Sequence, residues 1–158
     1  MTHPHVVMCT LDDALPNMLR GFLHDHRWRL TELRRPDAIA AQLDVPRPTV
    51  IFWQFDPTAD APVPLHLVGE LARRHPDAPL VVVSDAKLPV EDRPAWTALV
   101  LDLGARYVLF PPFTRLVLED LAGGLMAAAI ERQTGEPVEP LPADPEAIDL
   151  AEGGQAED

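Results

Sequence analysis

Four positions in this chain carry side chains with reactive potential at suggestive spacings. Asp12 and Asp13 are adjacent, Asp56 lies 43 positions beyond Asp13, and Ser84 lies 28 beyond Asp56, with Asp85 next to it. Clustered carboxylates repel one another, and a hard divalent cation such as Mg²⁺ relieves that repulsion. A carboxylate beside such an ion can accept a phosphoryl group, provided a cation and a hydroxyl stabilise the transferring oxygens. Ser84 offers the hydroxyl. The cation is harder to find, because Lys87 is the one lysine in the sequence. The same residues also have structural uses. Asp13 ahead of Pro16 suits a helix N-cap, and Asp56 followed by Pro57 suits a turn. His3-x-His5 and His24-x-His26 lack an evident third ligand and read as solvated loop histidines. Cys9 reads as an inert buried thiol. Neither a Gly-rich nucleotide loop nor a nucleophile elbow is present.

The elements that position these residues alternate regularly. Short apolar or β-branched runs occupy residues 5–11, 28–33, 49–55, 79–84 and 106–110. Between and after them, apolar residues recur at spacings of three and four over 16–26, 36–43, 64–75, 91–105 and 114–132, which predicts helices. Leu65, Val68 and Leu71 share one face, as do Leu118, Leu121 and Leu125. Pro16, Pro36 and Pro64 stand where helices would begin, and Gly104 where one would end. Strands alternating with helices imply a parallel sheet with helices on both faces. The third and fourth runs are almost wholly apolar, as strands buried on both faces must be. The pattern predicts a five-stranded, doubly wound α/β sheet of flavodoxin-like order 2-1-3-4-5. In such a sheet, ligands bind beyond the carboxyl ends of the strands. Asp12-Asp13, Asp56, Ser84-Asp85 and the segment Phe110-Pro111-Pro112 all follow strand ends. Trp53 and Phe55 are large for a strand bordering a site; they are either core or filler of its pocket. Gly123-Gly124 inside the last helix suggests either a bend or a close helix contact.

Composition narrows the function classes. The chain has 158 residues, a net charge of −12 and a single cysteine. Residues 134–158 hold eight acids and no base. That leaves about −4 for residues 1–133 and divides the chain into a folded domain, 1–133, and an acidic tail, 134–158, expected to be disordered. The tail reads as a partner-binding or inhibitory arm, or as a solubilising extension. Scarce lysine and net acidity disfavour nucleic acid as a partner. No apolar run is long enough for a membrane span, so the expected compartment is the cytoplasm.

The strand-end residues resemble the receiver domain of two-component response regulators over about residues 5–132. In that family an acidic pair ends the first strand, a phosphoacceptor Asp the third, a Ser or Thr the fourth, and a Lys-Pro the fifth. Asp12-Asp13, Asp56 and Ser84 match the first three, and GARYVLFPPFTRLVLEDL resembles the family's closing segment. The resemblance implies Asp56 as phosphoacceptor, Mg²⁺ at Asp12, Asp13 and Asp56, and Ser84 with Val108 or Tyr107 as switch positions. A second, ungapped register puts Thr10-Leu11 at the acidic pair and Gln54 at the phosphoacceptor. In both registers Pro111 replaces the lysine, although Lys87 in the long loop after strand four is a candidate substitute. The expectation is therefore a degenerate, stand-alone receiver-like domain without enzymatic activity, acting through a protein partner. Its contact face would be the fourth helix, fifth strand and fifth helix, which also suits a homodimer. The alternatives are a working single-domain response regulator phosphorylated by a histidine kinase, and a small metal-dependent hydrolase.

Overall fold

In a computed structural model, residues 3–58, 62–84 and 88–135 are described. The strands are β1 (His5–Cys9), β2 (Arg29–Leu33), β3 (Thr49–Phe55), β4 (Leu80–Ser84) and β5 (Tyr107–Leu109). The α-helices are α1 (Ala14–Asp25), α2 (Pro62–Arg74), α3 (Arg93–Asp102) and α4 (Arg115–Thr134). All strands run parallel in the order β2-β1-β3-β4-β5, as the alternating pattern predicts. The central register sets Cys9 beside Trp53 and Phe55 beside Ser84, so the candidate residues beyond these strands gather at one edge.

Strand parity sorts the core into two layers. Val6, Met8, Val50, Phe52, Val81 and Val83 point to the face covered by α1 and α4. Val7, Cys9, Ile51, Trp53, Phe55 and Val82 point to the face covered by α2 and α3. Central strands apolar on both faces have no solvated side, which explains the unbroken run from Thr49 to Trp53.

The predicted helix over 36–43 is not an α-helix. The segment forms two 3-10 turns, Pro36–Ala38 and Ala40–Leu43. It is confined between Pro36 and Pro46, and Ile39 is its one buried side chain. So short a helix gains too few hydrogen bonds and too little burial to offset nucleation. Pro16 and Pro64 are the third residues of their helices, which start earlier than predicted; proline is tolerated throughout a first turn. Gly104 does end α3, at φ +115°, and a Cβ there would sit 2.4 Å from that of Ala72, so only glycine lets the chain pass α2 into β5. The helix is not interrupted at Gly123-Gly124: α4 runs unbroken from its Thr114 cap to a left-handed Gly135. The helix thus passes the predicted boundary at 133 by one residue. The rest of the tail, from 136, lies outside the described residues.

Candidate functional site at the carboxyl edge of the sheet

The carboxyl edge gathers the expected side chains, but most of their polar atoms are turned toward the protein itself. The Asp12 carboxylate accepts the Ala14 N–H at 2.9 Å and so caps the start of α1. Asp13 occupies the N-cap position without capping. Its carboxylate pairs with the Arg34 guanidinium. Arg34, just beyond β2, also donates to Thr10 Oγ1 at 2.8 Å and to the carbonyls of Thr10 and Asp12 at 3.1 and 2.7 Å. A fixed cation therefore already occupies the mouth of the β1–α1 loop. Among the described residues no group of three His, Cys, Asp or Glu side chains is arranged to hold a metal ion.

The two candidate acceptor positions on β3 differ in role. Gln54 lies within the strand, and its Oε1 accepts the Leu11 N–H at 3.1 Å, joining β3 to β1 where the ladder opens. Asp56 lies one residue beyond the strand. Its Oδ1 accepts from Thr58 N at 2.9 Å and Thr58 Oγ1 at 2.7 Å, closing a turn.

Ser84 is wholly buried. It lies on the α2/α3 side of the sheet, where Trp96 Nε1 donates to its Oγ at 2.9 Å. Trp96 continues an aromatic row: Trp53 and Phe55 have ring centroids 4.8 Å apart, and Phe55 and Trp96 5.9 Å. Trp53 and Phe55 are therefore core, and the row fixes the hydroxyl from below.

On β5, Val108 packs half-buried against the α2/α3 core, while Tyr107 faces the other side and is 47% exposed. Tyr107, Val117, Asp120 and Leu121 line a shallow depression of about 280 Å³. Pro111 is half-buried and supplies no N–H. The nearby Arg93 guanidinium stacks over Phe110 at 5.0 Å from the ring centroid. Asp85 and Lys87 lie outside the described residues.

The expectation of solvated loop histidines fails at three positions. His24 lies within α1, and His26 is half-buried with its ring against Phe22 and Trp28. His5 is not solvated: it is fully buried at the start of a central strand, with Nε2 2.7 Å from Thr31 Oγ1. Burial, then the charges of Arg47 and Arg29, push its pKa down to about 4, so it is neutral near pH 7. Burial likewise pushes the Cys9 thiol up to about 11, consistent with an inert thiol. Sequence reasoning missed Arg34 and Trp96. Arg34 follows a strand end and Trp96 lies on a helix face, but neither pairing has a sequence periodicity.

Comparison with solved structures settles the architecture. NtrX from Brucella abortus superposes with a TM-score of 0.61 at 18% identity over 95% of this chain, which spans only 30% of that chain. Its receiver domain alone matches with a TM-score of 0.57 at 20% identity, over 78% of this chain and 97% of the domain. This chain has the fold of a response-regulator receiver domain. The receiver domain of a putative LuxO repressor from Vibrio parahaemolyticus gives 0.64 at 11% identity, over 87% and 100% of the two chains. A protein described as an adenylate cyclase from Rhodopirellula baltica gives 0.56 at 12% identity, over 99% and 100%. No family model and no curated protein matches. The receiver fold thus accounts for the sheet order and for the gathering of residues at the carboxyl edge. Among the described residues no helix is long and apolar enough to cross a membrane.

Proposed function

We propose that this chain is a receiver-fold signalling module that acts in the cytoplasm by protein–protein contact, without a phosphorylation cycle of its own. The observation that carries this reading is the state of Ser84. The hydroxyl that phosphoryl transfer would require is buried and engaged by Trp96. The receiver resemblance puts the stabilising lysine at position 111, where this chain has proline, and Asp13 is paired with Arg34. Preorganised donors at the transferring group supply much of the rate in such chemistry, so the burial of this hydroxyl and the proline at 111 favour a binding role. The contact face we assign comprises α3, β5 and α4, where Leu99, Tyr107 and Val117 are exposed and the last two line the 280 Å³ depression. It suits a signalling protein or a second copy of the chain.

The test is incubation with acetyl phosphate and Mg²⁺ followed by intact-mass measurement, with Asp56→Asn in parallel and circular dichroism to establish folding. The expected result is no adduct in either protein. An adduct of one phosphoryl group, lost in Asp56→Asn, would overturn the reading in favour of a working response regulator served by a histidine kinase. Turnover of generic phosphate or ester substrates, lost in Asp12→Ala, would instead establish a hydrolase.

A further inference from the structure

The opposite, amino end of the sheet carries a feature that the receiver architecture leaves unexplained. Arg73, Arg74 and Arg132 lie in the last turns of α2 and α4, where cations complement the exposed helix carbonyls. Arg47 has no such explanation. It sits in the loop before β3, its Nε is buried without a hydrogen-bond partner, and it makes no ion pair among the described residues. Burying part of a guanidinium unpaired is unfavourable unless something completes its shell.

Arg47 lines a cleft of about 210 Å³ together with Arg74, His75 and Gln133. Arg74 and His75 also line a second cleft of about 200 Å³, between the 3-10 segment and α2, whose apolar surface comes from Ala40, Leu67 and Leu71. The two clefts meet at Arg74 and His75, making one surface that is basic at one end and apolar at the other. Carboxylates are present too. Asp77 lines the basic cleft; Glu70 and Asp37 line the apolar one, but they are already paired with Arg74 and Arg35.

The position of Gln133 points to the occupant. It belongs to the last turn of α4, and Gly135 closes that helix, so α4 ends at the mouth of the basic cleft. The residues that follow in sequence begin Glu136-Pro137-Val138-Glu139-Pro140-Leu141. Glu136 and Glu139 flank Val138, and Leu141 follows both acids, the same order in which the basic and apolar clefts follow one another. Six extended residues reach about 20 Å, and covalent attachment gives an effective concentration on the order of millimolar, so a weak contact is enough.

We propose that residues 136–141 of this chain bind in cis along this surface, with Glu136 and Glu139 against Arg47 and Arg74 and Leu141 in the apolar cleft.

Paramagnetic broadening in the full chain tests this. A nitroxide on Ala143→Cys leaves the buried Cys9 unlabelled. The amides of Ala40, Thr49, Leu71 and Ala78 should lose most of their intensity, while those of Leu11 and Ser84 keep theirs. High salt, Glu136→Gln/Glu139→Gln, or Arg47→Gln/Arg74→Gln should each restore the lost signals. The tail variant changes no residue of 3–135, and circular dichroism of both variants checks that the fold is retained. Broadening confined to the end of α4, or indifferent to the charge variants, would overturn the proposal. So would broadening of unlabelled ¹⁵N chains mixed with labelled ¹⁴N chains, which would make the occupant a second copy.

Discussion

The two ends of the sheet handle their polar groups in opposite ways. At the carboxyl edge, Asp12, Asp13, Gln54, Asp56 and Ser84 each make internal bonds, to a helix amide, to Arg34, to a backbone N–H, to a turn and to Trp96. At the amino edge, Arg47 keeps a buried Nε unsatisfied beside an open cleft. Arg93 Nε near the carboxyl edge is also buried without a hydrogen-bond partner, but that guanidinium stacks on Phe110, whereas Arg47 borders an open cleft. The candidate residues of the carboxyl edge are thus held as structure, and the amino end offers the more open surface.

The strongest way to break this contrast is to remove the aromatic row beneath the carboxyl edge. Trp53 is 1% exposed, so Trp53→Ala should cost about 3–5 kcal/mol, seen as a large drop in the urea midpoint at unchanged slope. Next comes acid titration at the amino edge. The folded state holds His5 neutral down to about pH 4, whereas the unfolded chain protonates it near 6.5. Between those values the unfolded state binds the extra proton, so stability falls as pH drops through the window, by about 3 kcal/mol in total. The loss is complete below the folded value. Denaturation of the parent chain and His5→Gln across pH 7 to 4 checks this, because the variant should lack that part of the slope.

Trp96→Phe removes the donor that satisfies Ser84, with an expected cost of about 1–3 kcal/mol. Adding Ser84→Ala should recover part of it, which a double-mutant cycle would read out. If the released hydroxyl also enabled phosphorylation of Asp56, the carboxyl edge would prove to be latent chemistry locked by one indole. Arg34→Gln should cost no more than about 1 kcal/mol, since both members of its ion pair are largely solvated. Faster hydrogen exchange should nevertheless appear at Thr10 to Ala14. Smallest of all, Arg47→Met should be neutral to slightly stabilising, within about 0.5 kcal/mol, because no ion pair within the described residues is lost. A large destabilisation there would erase the contrast between the two ends.

Much of this architecture was legible in the sequence for a physical reason. Strands buried on both faces must be continuous apolar runs, and β3 and β4 have no other reading. Their spacing from Asp12 and Ser84 then places the candidate edge. The 36–43 segment misled because its apolar spacing suits a helix while its length and flanking prolines do not. His5 misled because its neighbours in sequence, Pro4 and His3, are loop-like, whereas its neighbours in space are Arg29 and Thr49 on the adjoining strands. The Asp13–Arg34 and Ser84–Trp96 pairings stayed hidden for a related cause: contacts 21 and 12 residues apart depend on where loops return, which local pattern does not encode.

The lateral strands of the sheet bear on how copies of this chain behave when crowded. β5 is three residues long, and β2, at the other margin, presents Arg29 and Glu32 to solvent. Neither margin offers a long, flat ladder on which another chain could grow. Association at high concentration should therefore proceed through helix faces and side chains, reversibly and with a discrete end point, and not by sheet extension into fibres.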